Sequence, residues 1–236
     1  MQIRALAFNT VTELCSVAVL VDQTVHHYSI MAPQSHSEKI LSMIDRLLVD
    51  SGILLRSLDF IVFDQGPGNF IGVRIGIGVA QGLALGADIP LIAVSSLNVL
   101  AQGAWRSFSA KQVITVIDAR MNELYWAHYS YLIKDNDFFW ICQNCSGLIT
   151  IAVAKTLIES LQEKWVLVGT GWNNHRVLYE SINHSRVIIL KKRMFPEAQD
   201  MLPLGMYCWK NKLFFNLNQI KPIYLKPVFF KKYENF

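Results

Sequence analysis

Two rhythms of apolar and polar positions divide this chain. Its opening is a series of short apolar runs separated by turn residues. Ile3–Phe8 predicts a strand, Asn9–Glu13 a polar turn, and Cys15–Val21 a second strand. Asp22 and Gln23 turn the chain again into Thr24–Met31, which makes a meander. A helical rhythm follows. Ile40, Leu41, Met43, Ile44, Leu47 and Leu48 fill one arc roughly 160° wide, with Asp45, Arg46 and Asp50 outside it. Ser35 and Glu38 are spaced as a capping box, and Gly52 is placed to close the helix in the left-handed conformation. His36, inside the cap, reads as a solvated residue. Leu58–Asp64 is apolar almost without alternation and predicts a strand buried on both faces.

The stretch from Asp64 to Gly86 organises the rest. Gly66-Pro67-Gly68 reads as a turn, and a helix is predicted from about Phe70. At about 100° per residue, Gly72, Gly76, Ala80 and Ala84 form one ridge of small side chains. Gly78, Gly82 and Gly86 form a second, and Ile75, Val79 and Leu83 form a bulky ridge between them. Each interior glycine costs roughly 1 kcal/mol of helix propensity relative to alanine. Close approach of other backbones on two sides is the compensating reason that the pattern predicts. Nucleotide fingerprints do not fit, because no Gly-Lys-Ser/Thr follows and the glycine spacing is one residue too long for a dinucleotide motif. The apolar run between Arg74 and Asp88 is about a dozen residues, short of the roughly 20 that span a bilayer.

Beyond it the plan repeats. Leu91–Val94 predicts a strand, Ser95 to about Ala104 a short helix, and Arg106–Lys111 a polar connection. Gln112–Ile117 and Glu123–Tyr131 predict strands joined by a turn at Asp118–Asn122. Thr150–Glu163 reads as a helix, Trp165–Val168 as a strand and Gly169–Gly171 as a turn. Val187–Leu190 reads as a short strand, and Asp200 to about Lys212 as a helix with Pro203 in its first turn. This order predicts an α/β protein of two lobes with mixed sheets, residues 1–104 and 112–217. Residues 218–236 form a basic tail expected to be loosely ordered.

Composition sharpens the picture a little. Of 236 residues, 52% are hydrophobic and 17% charged, lean for a lone soluble chain, which favours an obligate partner. No N-terminal stretch has the order of a signal peptide, so a cytoplasmic protein is expected. The net charge of +4 is uneven: residues 205–236 carry +5 and the rest −1, which reads mainly as drift toward lysine. Cys142 and Cys145 form a lone CxxC without a second pair, and neither a metal site nor a disulfide is expected from it.

The motifs carry a resemblance. Gly66-Pro-Gly-x-Phe-x-Gly-Val-Arg-Ile-Gly76 and Ala80-Gln-Gly-Leu-Ala-Leu-Gly86 resemble the bacterial TsaB family. So do Pro90–Leu97, Ile117–Met121 with Glu123-x-Tyr-Trp-Ala127, and Val168-Gly-Thr-Gly-Trp172. The likeness runs to about Pro203. It implies an actin-like, sugar-kinase-like ATPase fold and a non-catalytic subunit of tRNA threonylcarbamoyladenosine biosynthesis. The implied partners are a TsaD-like catalytic subunit and a TsaE-like ATPase, with a homodimer when the partner is absent. Contact with tRNA is expected only indirectly through the complex, and no membrane is expected. The resemblance also implies that two helices of each subunit meet in a four-helix bundle. Ile40, Met43, Ile44, Leu47, Ile75, Gly76, Val79, Ala80, Gly82 and Leu83 are the expected interface residues.

No catalytic residue, cofactor or metal is assigned. Active ATPases of this architecture end the first strand with an Asp, and here Asn9 stands there and reads as a turn residue. Ala119, Arg120 and Met121 replace the glycines of a second phosphate loop. Arg120 suits either an anion or a pair with Glu123. Ser96 and Leu100 fall where TsaD carries two metal-binding histidines. Asn69 and Ile71 also depart from the usual Ser or Thr and Thr of the family, which changes the turn before the helix. The rival readings are a small kinase or ATPase of the same superfamily and a metallopeptidase, which HExxH would have marked.

Overall fold

A computed structural model describes residues 3–134, 137–175, 178, 180, 187–189, 194–215 and 220–223. Ala5–Asn9 (β1), Leu14–Val21 (β2) and Thr24–Met31 (β3) form the antiparallel meander. Helix α1 (His36–Asp50) follows, then a 3-10 turn at Leu55–Ser57 and β4 (Phe60–Asp64), which runs parallel to β1. Helix α2 (Phe70–Ala87) leads into β5 (Leu91–Val94), parallel to β4. The first sheet therefore has the order β3-β2-β1-β4-β5. After α3 (Ser96–Phe108) come β6 (Gln112–Asp118), β7 (Glu123–Lys134) and β8 (Asp137–Thr150). Then come α4 (Ile151–Glu159), β9 (Trp165–Val168), α5 (Gly171–Asn174), β10 (Val187–Ile189) and α6 (Ala198–Lys210). The second sheet has the order β10-β9-β6-β7-β8. Two mixed sheets with helices against them make the expected actin-like architecture.

Strand β8 is an element that the pattern did not predict. It is antiparallel to β7, and the register slips at Trp126/His128 and again at His128/Tyr129. An irregularity of this kind breaks the period of two that marks a strand in sequence. Aromatic pairing holds the two strands instead: Tyr131 stacks on Phe138 at 5.8 Å and meets Trp140 edge-on at 5.1 Å.

The lobes exchange helices. α3 precedes the second sheet in the chain and packs on it, with Leu97, Leu100, Ala101 and Ala104 against Val113, Ile117 and Ala127. α6 returns to the first sheet, where Ala198, Met201 and Leu202 pack on Ala5, Ala7, Phe60 and Val62. The expected division at residues 104 and 112–217 thus separates chain segments, not packing units. The reason is burial: β1 and β4 are covered on both faces. α1 and α2 cover one face, and α6 supplies the other cover. Arg106 of α3 clasps Asp200 of α6 through two bonds of 2.6 and 3.0 Å.

Smaller expectations also change. Ser35 caps α1 without a side-chain bond; its carbonyl takes the Glu38 N–H at 3.2 Å, so no capping box forms. Gly52 does take a left-handed φ of 67°. α6 begins two residues early, which puts Pro203 inside the helix and past its first turn. The tail is not wholly loose. Ile220 is 8% exposed and joins the first core, and the Ile223 N–H donates to the Gln65 carbonyl at 3.0 Å. Residues 224–236 lie outside the described residues.

Candidate partner surface and the cleft between the lobes

Helix α2 carries the candidate surface. Asn69 caps it, accepting from the N–H groups of Ile71 and Gly72 at 3.0 and 3.1 Å. So the departure at Asn69 keeps the capping chemistry. Asp88 ends the helix in the left-handed conformation. The two small ridges face opposite ways. A Cβ on Gly72 would collide with the Thr10 carbonyl, and one on Gly76 would lie 2.9 Å from the Thr10 hydroxyl. That hydroxyl donates to the Gly72 carbonyl at 2.7 Å, so the first hairpin is bolted to the helix backbone. Ala80 and Ala84 continue the ridge into the core. Around Gly78, Gly82 and Gly86 there is open space.

The ten expected interface residues divide accordingly. Ile40, Met43, Ile44 and Leu47 are buried against the first sheet together with Ala80, and Gly76 is buried as well. Those six are corrected from surface to core: the wide arc of α1 covers its own sheet. Ile75, Val79 and Leu83 are half-buried at the edge of that core, and Gly82 is exposed. Ile71 and Leu85 lie in line with Gly78 and Gly82 and are 66% and 75% exposed. Each lies seven residues from Gly78, about 700° and so within about 20° of it, which would have shown this in sequence at about 100° per residue. Phe70 on α2 and Leu41 and Val49 on α1 are exposed too. By length and composition α2 could cross a membrane. A third of that span is buried in the lobe, seated on Thr10 and on the core.

A cleft of about 1050 Å³ opens beside the N-terminus of α2, between Val11–Glu13 of the first hairpin and Asp118–Arg120 of the second. A buried polar cluster at the ends of β1 and β4 lies next to its lining residues in the chain. Asn9 is the last residue of β1, not a turn residue, and is fully buried. Its amide donates to Asp64 at 2.6 Å, while its oxygen accepts the Val11 N–H at 3.0 Å. The Ser96 hydroxyl and the Gly66 N–H also reach Asp64, at 2.6 and 2.8 Å. Burial outweighs these three donors and raises the Asp64 carboxyl from 3.8 to about 7. Sequence reading passed over Asp64, whose only signal was an acid closing an apolar strand. Ser96 and Leu100 are both sealed from solvent, the first occupied with Asp64 and the second packed against the second sheet.

The cleft walls are short of phosphate-binding backbone. Arg120, Met121 and Asn122 all take left-handed φ values of 55–65°, and the Arg120 N–H is turned to Asp118 Oδ1 at 2.8 Å. The glycines of Gly169-Thr-Gly171 are packing residues, since a Cβ on Gly171 would sit 2.5 Å from a Val116 methyl. His36 is buried, which corrects the solvated reading, and burial lowers its pKa. Among the described residues, no group of three or more His, Cys, Asp or Glu side chains gathers as a metal site would. Cys142 is half-buried; the side chain of Cys145 lies outside the described residues.

A two-lobed α/β protein with this cleft and this glycine-ridged helix is the class to which the comparisons also point. Residues 29–219 match the family model described as "TsaD: tRNA N6-adenosine threonylcarbamoyltransferase". The chain is 37% identical over 225 residues, 94% of each chain, to the tRNA threonylcarbamoyladenosine biosynthesis protein TsaB of Escherichia coli (strain K12). It is 36% identical to the protein of the same description from Haemophilus influenzae, over 94% of this chain and 92% of that one. Among solved structures, YeaZ from Pseudomonas aeruginosa superposes with a TM-score of 0.81 at 33% identity, covering 94% of this chain and all 100% of that one. Another from that organism, described as an uncharacterized protein with similarity to peptidase YEAZ, has the same score and identity. The chain belongs to the TsaB family.

Proposed function

We propose that this chain is the non-catalytic subunit of tRNA threonylcarbamoyladenosine biosynthesis, working in the cytoplasm on a TsaD-like catalytic chain. The catalytic chain transfers the threonylcarbamoyl group to the tRNA adenosine, and this one supports it. A TsaE-like ATPase is the third component, and a homodimer through the same surface forms when the partner is absent.

The observation that carries the reading is the outer side of α2. Gly78, Gly82 and Gly86 face open space, flanked by exposed Ile71 and Leu85. Three glycines in a solvent-facing helix cost roughly 1 kcal/mol each without any contact in the free chain. A second helix packed at the short end of the usual 8–10 Å would offset that cost. The end of β1 supports the non-catalytic part: in place of the carboxylate that would act there stands the amide of Asn9, held to Asp64.

Gly82→Leu tests the surface. The variant is expected to fold like the parent by circular dichroism and to lose co-purification with a TsaD-like chain, weakening the complex at least a hundredfold. A folded variant that binds the partner like the parent would put the interface elsewhere.

A further inference from the structure

The chain leaving α6 returns to the first sheet at separate points. The Phe215 N–H donates to the carbonyl of Leu91, the first residue of β5, at 3.1 Å, and the two residues form an isolated antiparallel bridge. The Ile223 N–H donates to the Gln65 carbonyl at 3.0 Å, and the Gln65 N–H donates to the carbonyl of Val94, the last residue of β5. Phe215 and Ile223 are thus anchored toward opposite ends of this outer strand. Ile220, between them in sequence, is buried in the core that α1 and α2 share with the first sheet.

Gln65 joins β4 to the Gly66-Pro67-Gly68 turn from which α2 starts. Two backbone bonds hold that turn from other sides. The Ser96 N–H donates to the Gly66 carbonyl at 3.0 Å, and the Asn69 N–H to the Val11 carbonyl at 2.7 Å. Ile223 adds a third hold. It lines the cleft with Gly68 and Asn69, and a Cβ on Gly66 would lie 3.7 Å from its carbonyl oxygen. Glycine at both ends leaves the turn free backbone dihedrals, so these bonds decide where it sits.

We infer that Ile220–Ile223 form a strap that positions the first turn of α2, and with it the partner surface. The inference rests on the proposed binding of a TsaD-like chain along α2. Phe70 and Ile71 open that helix and are 52% and 66% exposed, so their direction follows from the backbone that carries them. Helix ends fray because their first N–H groups lack helical partners. Asn69 caps two of these, and Asn69 itself hangs from Val11 next to the strapped turn. Releasing the strap lets turn, cap and exposed pair move together. The partner then meets a surface present for only part of the time, and apparent affinity falls with that fraction. The first residues of the stretch expected to be a loose tail thereby become necessary for partner binding.

The test uses full-length variants and measures affinity for the TsaD-like partner and hydrogen exchange in the free chain. Ile220→Asp draws the anchor out of the core, and Ile223→Pro removes the donor to Gln65 with Ile220 left in place. Each is expected to weaken the complex by about tenfold or more. Each should also speed exchange of the Asn69 and Val73 amides by about tenfold or more, with the amides of β6 unchanged. Ile220→Val keeps an apolar anchor and Lys221→Ala alters an exposed neighbour, so both should behave like the parent. If Ile220→Asp fails to fold, Ile223→Pro decides alone. Strap variants that bind the partner like the parent would overturn the inference and leave the proposed function standing. Loss of the complex without faster exchange at Asn69 and Val73, or an equal loss in Lys221→Ala, would mean that the segment touches the partner directly, which also overturns it. If the parent captures no TsaD-like chain, the proposed function fails and the positioning of a partner surface fails with it.

Discussion

The two small ridges of α2 use the same residue type for opposite ends. On the inner side, Gly72 and Gly76 are small because the first hairpin's backbone and hydroxyl occupy the space that a side chain needs. On the outer side, Gly78, Gly82 and Gly86 are small with nothing near them. The inner ridge is therefore explained by the fold of this chain, and the outer ridge is not. A contact that the free chain lacks is the remaining physical account. Composition cannot make this distinction, because both ridges recur every four residues and look alike in sequence.

The inner ridge should break hardest. Gly72→Leu drives a side chain into the Thr10 carbonyl, and backbone on both sides has no rotamer by which to yield. The lobe is expected to lose on the order of 4 kcal/mol or more, enough to leave a chain of ordinary stability largely unfolded. Urea denaturation followed by far-UV circular dichroism measures this. A cooperative transition at the parent's midpoint would mean that the helix is not seated on the hairpin.

Beneath that ridge, the Asp64 cluster sharpens the contrast through pH. An unfolded Asp titrates near 3.8, and burial holds this one to about 7 in the folded lobe. Between those values the unfolded chain has released the proton and the folded chain still holds it. The contribution is thus fully present below about pH 4 and is lost as pH rises through about 7, at up to about 1.4 kcal/mol per unit. Asp64→Ala should remove this slope. It should also cost on the order of 3 kcal/mol at acid pH, since Asn9, Ser96 and Gly66 lose an acceptor. Stability measured from pH 4 to 8 for both proteins checks the sign; a parent no steeper than the variant would refute the buried, protonated carboxyl.

How much of this was legible depended on periodicity. β1 to β5 and α1 follow clean rhythms, and their existence and order were readable. β8 was not, because a slipped register and aromatic pairs replace alternation. The return of α6 to the first sheet was not readable either: it depends on which bare sheet face remains to be covered, a property of the assembled lobes. Within the site, the existence of two ridges was legible and their direction was not. Direction is set by where Thr10 lies, 62 residues away from Gly72 in sequence. Asp64 was missed for a similar reason, since Asn9 and Ser96, which donate to it, lie 55 and 32 residues away in sequence.

The smallest effect separates the ridges most cleanly. Gly82→Ala adds one methyl group to the outer side, where nothing lies within 4 Å. In the free chain the methyl meets only water, so the change should act through the backbone alone. Alanine loses less conformational freedom than glycine on entering a helix, and the free chain should gain about 0.5–1 kcal/mol. The same exchange at Gly76 would place the methyl 2.9 Å from the Thr10 hydroxyl, so that propensity and crowding oppose each other. The outer change should therefore raise the thermal midpoint by a few degrees and the inner one should not. In the complex the sign at Gly82 should reverse, because a partner helix packed on the bare ridge has to move out by about a methyl radius. Thermal unfolding of the free chain and affinity for the TsaD-like partner, measured on the same Gly82→Ala protein, give the two halves of this result. A variant that loses stability when alone would mean that the outer ridge is already in contact, and the two sides of α2 would then no longer differ in kind.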